Sequence, residues 1–365
     1  MKATVNRETL RDILTEAGRY VSAGRVSLPA LAGVLIEAGD GRLTARATDL
    51  ETTYTGGTTA EVGEPGQVLV DAKLLAKAVA SGAGAVTITD EGDRIAVDLG
   101  DATVRLHPLA LDDYPGLPQP GTEPTGTLTA SDLGTLGRVA VAAGTDDGRP
   151  ALTGALLDNA DVAATDSYRL HVGRLSMGVG GTALVPGKMV ATLAKTKTDE
   201  VSVTVESGQV TFAATVTAGP KKTPRTHRMQ VLTKLIDGSF PNFRALLPDG
   251  GESLTIDGGL LTTAVKRVAT LTGAGLPMYL SASTGTLTVE AKSQDLGEAS
   301  AQVPVVGVED GWTGFAANPA FLAAAVAAVA PSGNVTLRGV NEFKPWMVTA
   351  EGSTVDALTM PMRVS

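Results

Sequence analysis

The chain has 365 residues, 43% of them hydrophobic and only 4% aromatic, enough for several globular domains with aliphatic cores. It contains no cysteine, which excludes disulfides and thiolate metal sites. A formal charge of −9 excludes an indiscriminately cationic nucleic-acid binder but leaves room for a basic stripe on an acidic exterior.

The opening "MKATVNRETLRDIL" has no apolar h-region, and no later run is long enough to cross a bilayer, so a soluble cytoplasmic protein is expected. Asn6 is placed to cap a helix with Leu10, Ile13, Leu14 and Ala17 on one face, and Val5 to staple onto Leu10. Next comes "SLPALAGVLIEAGDGRLTARATDLETT", where the alternation of Leu43, Ala45 and Ala47 predicts strands with one buried face. "VDAKLLAKAV", from Val70, predicts a second helix, and a Pro-rich joint follows at residues 112–126.

The same order then returns twice. "SDLGTLGRVAVAAG" predicts a helix capped by Ser131 with Leu133, Leu136 and Ala140 inward. "RPALTGALLDNADVAATDSYRL" repeats the earlier strand phrase, and "VPGKMVATLA" predicts a helix with Pro186 in its first turn. A second joint, "GSFPNFRALLPDGG", leads to a third helix with Leu261, Val265, Val268 and Leu271 on one face. The weaker third phrase, "LPMYLSASTGTLTVEAKSQDLGE", buries Leu287, Val289 and Ala291, and "ANPAFLAAAV" opens a last helix at Pro319. The chain therefore reads as three repeats, 1–120, 125–247 and 249–365.

No catalytic pattern emerges. "GTALVPGKMV" misses a phosphate loop at Thr182, where Gly is required, and at Met189, where a hydroxyl is required. The three histidines, His107, His171 and His227, have no metal-binding spacing, and His227 in the basic run "KKTPRTHRMQ" reads as a solvated residue. Asp49 and Asp166 recur at equivalent positions; Asx-type turns explain this better than paired catalytic acids. Neither a metal nor a cofactor is implied.

With the repeats laid out, "ATDSYRL", "IDGSFPNFRALLP" and the tail "MPMRVS" resemble motifs of the bacterial sliding clamp family, the beta subunit of DNA polymerase III, and the likeness runs the full length. The resemblance implies an α+β fold of three clamp domains, each with two helices backed by antiparallel sheets, in a head-to-tail homodimeric ring around duplex DNA. It implies no enzyme. Its partners would be the polymerase III catalytic subunit, the clamp loader and other proteins carrying clamp-binding peptides. A peptide cleft would use Leu152, Thr165, Ser167, Tyr168, Arg169, Leu170, Pro241, Leu246, Phe321, Leu358, Met360, Pro361 and Met362. Sequence-independent DNA contacts would come from Arg25, Lys73, Arg138, Arg149, Lys188 and Lys195, among the cations on or beside the repeated helices. The dimer contact would use Val104, Leu106, Thr270 and Leu271.

Three positions depart from the family pattern. Ser167 stands where Gly is common, Tyr168 where His is common, and Val364-Ser365 replaces a terminal Leu. These departures fit an accessory copy, such as a divergent actinobacterial, plasmid or phage clamp. The last helix, "NPAFLAAAVAAVAP", carries no cation. That favours the alternative of a clamp-fold scaffold or partner-binding paralogue that no longer loads onto DNA. A more distant alternative, an enzyme with an interdomain site, rests on the recurring aspartates alone.

Overall fold

The computed structural model describes the chain except residues 23–27, 221, 249, 272–275, 294, 331 and 364–365. Its elements repeat one order three times. The first block has β1 (Lys2–Asn6), α1 (Arg7–Ala17), β2 (Gly33–Gly39), β3 (Arg42–Thr48), β4 (Thr52–Thr59) and β5 (Glu61–Glu64). It continues with β6 (Gly66–Asp71), α2 (Ala72–Ser81), β7 (Ala85–Asp90), β8 (Ile95–Asp98) and β9 (Thr103–Leu106). The second opens with β10 (Gly126–Thr129), α3 (Ala130–Ala140), the short α4 (Pro150–Thr153), β11 (Gly154–Asp158), β12 (Asp161–Thr165) and β13 (Arg169–Arg174). After these come β14 (Thr182–Pro186), α5 (Gly187–Leu193), β15 (Glu200–Glu206), β16 (Gln209–Ala218) and β17 (Arg225–Lys234). The third has β18 (Glu252–Asp257), α6 (Gly258–Val268), β19 (Met278–Ser283), β20 (Thr286–Ser293) and β21 (Gly297–Val308). It ends with β22 (Phe315–Ala317), α7 (Pro319–Val329), β23 (Asn334–Gly339), β24 (Trp346–Thr349) and β25 (Val355–Thr359).

These elements form two compact units. The first comprises Met1–Ala130 and Lys195–Leu235. It holds a sheet ordered β5-β1-β7-β8-β9 and a second ordered β10-β15-β16-β17-β4-β3-β2-β6. In the second sheet, Leu43, Ala45, Ala47 and Tyr54 point toward α1 and are fully buried, so period-two alternation sends Arg42, Thr44 and Arg46 to the opposite face. Asn6 and Asp71 cap α1 and α2 through their side-chain oxygens, and the two helices pack on each other.

The second unit comprises Ser131–Ala194 and Ile236–Ser365. One sheet runs through it in the order β14-β11-β12-β13-β25-β24-β23-β18-β21-β20-β19-β22. Helices α6 and α7 pack together over a core that includes Trp346, stacked 4.3 Å from Phe315. Helix α3 approaches the residue after α5 so closely that a Cβ at Gly137 would lie 3.0 Å from that of Ala194. The middle repeat is thus divided: β10 and β15–β17 belong to the first unit, the rest to the second.

Several sequence expectations need correction. Helix α3 begins at Ala130, which puts Ser131 inside the first turn and not at the cap. Pro186 precedes α5 as its cap residue. Leu271 leaves the α-helix: Ala269–Leu271 tighten into a 3-10 turn, and Leu271 stays half-buried. His227 is not solvated, because strand alternation in β17 turns it inward beside Met229, leaving it 4% exposed. Arg25 and Val364-Ser365 lie outside the described residues.

Candidate peptide-binding cleft and nucleic-acid contacts

The repeated phrase makes the same turn twice. Thr48 and Thr165 each donate a hydroxyl across the turn, to the carbonyls of Thr52 (3.0 Å) and Arg169 (2.6 Å). Asp49 Oδ1 accepts from the amides of Glu51 and Thr52, and Asp166 Oδ1 from those of Tyr168 and Arg169. Both aspartates therefore serve as Asx-type caps. The turn requires a left-handed residue after each aspartate, filled by Leu50 (φ 80°) and Ser167 (φ 81°). This gives a physical reason for a Gly preference at position 167.

The second turn carries more. Asp166 Oδ2 pairs with Arg169 Nε at 2.8 Å and holds the guanidinium 4.8 Å above the Phe321 ring. Tyr168, 61% exposed, stacks on the same ring at 6.5 Å, and its carbonyl accepts from the Met360 amide at 2.8 Å. Asn318 caps the helix start that presents Phe321. Directly below, β13 and β25 pair Leu170 with Leu358, and β24 places Met347 opposite Leu358. Leu170 and Leu358 are buried with Ala163 and Phe243, while Leu156, Val172, Phe240, Leu247, Met347 and Met360 surround them half-buried. The 240–247 segment is fastened by Arg244, which lies 4.6 Å over Phe243 and reaches Asp158 (3.0 Å) and Asp161 (2.6 Å). Hydrogen bonds from Thr182 and Arg244 hold the Asp158 carboxyl below its usual range.

Of the expected cleft residues, Tyr168, Arg169, Phe321 and Met360 meet directly, and Leu170, Leu358 and Met360 share the apolar cluster over Thr165, which is buried. Leu152 is half-buried, with its carbonyl accepting from Gly144. Pro241 and Leu246 are exposed beside the buried Phe243; Pro361 is half-buried, and the Met362 amide is bound to the Ala316 carbonyl. Sequence reasoning missed Phe240, Phe243, Leu247 and Met347. The i, i+3 aromatic pair in "SFPNF", here edge to face at 6.2 Å, was the available signal.

The cations behave differently from one another. Lys73, Lys188 and Lys195 are exposed, each in or beside a repeated helix. Arg149 is held by Asp146 at 2.8 Å and donates to Ser167 Oγ at 3.0 Å, joining the 146–149 turn to the cleft turn. Arg138 is a clasp within the second unit: it donates to the Ala328 carbonyl at the end of α7 (3.0 Å) and to Thr354 Oγ1 (2.6 Å). Next to it, His171 is buried and donates Nδ1–H to the Arg138 carbonyl; burial pushes its pKa down to about 4. Val104 and Leu106 are half-buried on the edge strand β9, and Thr270 is exposed beside Leu271. Among the described residues, no group of three or more His, Asp or Glu side chains could hold a metal ion.

Residues 1–118 match the N-terminal domain family of the DNA polymerase III beta subunit, and residues 133–242 match its central domain family. The beta sliding clamp of Streptomyces coelicolor is 32% identical over the whole of both chains. The chain belongs to the beta sliding clamp family. Among solved structures, the Pseudomonas aeruginosa clamp superposes over the full length with a TM-score of 0.85 at 26% identity. The same organism's clamp with griselimycin bound gives 0.85 at 25%. The fold expected of the family, three-fold repeated α+β with antiparallel sheets, is the fold found here. No helix among the described residues is long and apolar enough to cross a membrane.

Proposed function

We propose that two copies close head to tail into a ring that slides on duplex DNA in the cytoplasm, acting by topology and not by catalysis. In this reading each chain supplies three clamp domains, 1–120, 125–247 and 249–365. The observation that carries it is the sheet order. Strand β4 pairs with β17, and at the equivalent place in the repeat β13 pairs with β25. Extending that order once more makes β21 the partner of β9. Both have room: β9 is a sheet edge, and residues 297–304 of β21 pair with β20 on one side only, among the described residues. An unpaired edge of this kind invites strand addition, and head-to-tail pairing must either close or polymerise.

The register follows from the repeat. Val231 faces Tyr54 and Ala357 faces His171, which sets Val104 opposite Ala299 and Arg105 opposite Glu298 of a second copy. Apolar residues then meet on the inner side and opposite charges on the outer. Thr270 and Leu271 extend the contact; Leu271→Asp shifts the dimer toward monomer, and an undisturbed dimer contradicts that placement.

DNA contacts fall to Lys73, Lys188 and Lys195, together with Arg149 and with Arg25, which lies outside the described residues; Arg138 contributes chiefly by fastening α7. Ammonium groups on flexible stems suit sliding, because they neutralise phosphates without reading bases. The apolar cluster under Tyr168 and Phe321 receives the peptides of polymerase, clamp loader and repair partners, with Met360 and Met347 adapting to each. Griselimycin, bound by the Pseudomonas aeruginosa clamp, should displace such a peptide.

Retention on circular against linearised plasmid, after loading, tests the reading. A ring stays on the circle and slips from free ends; equal loss from both overturns it in favour of a non-loading scaffold.

A further inference from the structure

The first unit has its own concavity, about 810 Å³, on the face of its larger sheet that points away from α1. Strand alternation places Arg42, Arg46 and Arg228 there, among Thr44, Thr55 and Thr215. Arg46 is paired with Glu37 at 3.0 Å, but Arg42 and Arg228 have no carboxylate partner among the described residues. Gly57, between Arg228 on one side and Thr44 on the other, keeps the floor open; a Cβ there would press to 3.2 Å from Thr44 Cγ2. At the far end, where the chain enters β15, Asp199 and Glu200 reverse the sign of the charge.

We infer that this trough is a second interaction surface, for an extended acidic peptide segment of a partner protein. Two free guanidiniums offer forked donors that match carboxylates, and the threonine hydroxyls supply further hydrogen bonds along an extended chain. A single-stranded nucleic acid fits less well, because no aromatic side chain lines the trough to stack a base. Because the whole chain carries −9, acidic peptides are repelled at long range, and their capture requires a local cationic site. The inference is independent of the cleft in the second unit.

The test uses the full chain and a short fluorescein-labelled peptide of alternating Glu and Ser, followed by anisotropy. Saturable binding that weakens with salt is expected, with roughly tenfold or greater loss in Arg42→Glu/Arg228→Glu. Arg338→Glu, the same reversal in the second unit, and Met360→Ala should leave it unchanged. The milder Arg42→Gln/Arg228→Gln variant, with its unfolding transition checked, shows that lost binding is not lost folding. The proposal is overturned by absence of saturable binding, by equal loss in Arg338→Glu, or by tighter binding of an oligothymidylate at the same arginines.

Discussion

The sheet joining β4 to β17 and the sheet joining β13 to β25 share one framework, and their outer faces differ in kind. Counting from the twin threonine turns, Arg46, Thr53 and Thr55 stand on the first where Ala163, Leu170 and Val172 stand on the second. The first face is an open, polar, arginine-bearing trough; the second is an apolar cluster roofed by Phe240 and Phe243. The inward residues, Ala47 with Tyr54 and Ala164 with His171, do the same packing work in both. The difference teaches that one parity of each strand carries the packing common to both sheets, while the other is free to diverge, toward an open polar surface in the first unit and a second apolar cluster in the second.

Exchanging outer residues is the harshest way to break that comparison. Ala163→Arg forces a charged, oversized side chain into a fully buried site and should cost about 3 kcal/mol or more in denaturant unfolding. The reciprocal Arg46→Ala, which loses one half-exposed ion pair, should cost no more than about 1 kcal/mol. Similar losses from both would show that the two faces are not distinct.

Acid probes the inward parity. His171 occupies the place of Tyr54, and its folded pKa of about 4 lies below the ordinary 6.5. Between those values the unfolded chain binds the proton and the folded chain does not. Stability from this residue is therefore full above pH 6.5, falls as pH drops toward 4, and by then has lost on the order of 3 kcal/mol. Comparing unfolding of the wild type and His171→Gln at pH 7 and pH 4.5 isolates the effect. His227, also shifted down by burial, adds a further acid loss in the first unit. A difference between wild type and variant that does not change with pH would contradict the assignment.

On the cleft itself, Met360→Ala should weaken a peptide of the Gln-Leu-x-Leu-Phe kind, the clamp-binding motif that the family resemblance implies, by about 1–3 kcal/mol in calorimetry, while Gln230→Ala, in the trough of the first unit, should not change it. The smallest effect separates the twin turns. Leu50→Gly relieves a left-handed leucine and should stabilise by about 0.5–1 kcal/mol. Ser167→Gly relieves the same strain but forfeits the Arg149 hydrogen bond, so its gain should be smaller.

Much of this was legible in the sequence, for definite reasons. The repeated order could be seen because inward positions are apolar at period two in strands and at i, i+3, i+4 in helices, as in Leu43, Ala45, Ala47 and Leu10, Ile13, Leu14. The cleft was half legible: "ATDSYRL" and "MPMRVS" mark its rim. Its roof of Phe240 and Phe243 and its Met347 wall come from segments that meet Leu170 only once β13 pairs with β25, across more than a hundred residues. His227 was misread because a basic run looks solvated until alternation turns every second residue inward. The engagement of Arg138 with the end of α7 was beyond reach, since nothing local links residues 138 and 328.

The central claim, a closed head-to-tail ring through β9 and β21, meets its most direct test in a disulfide. The chain has no cysteine of its own, and the repeat's register sets Thr103 opposite Ser300 of the second copy. Directly opposed antiparallel residues lie within disulfide reach, at Cα separations of about 4.5–5.5 Å. Oxidised Thr103→Cys/Ser300→Cys protein should yield a covalently closed dimer that, once loaded, survives high salt on circular plasmid and is released by linearisation. Unlinked monomers, or an open ladder of higher oligomers, would contradict the ring.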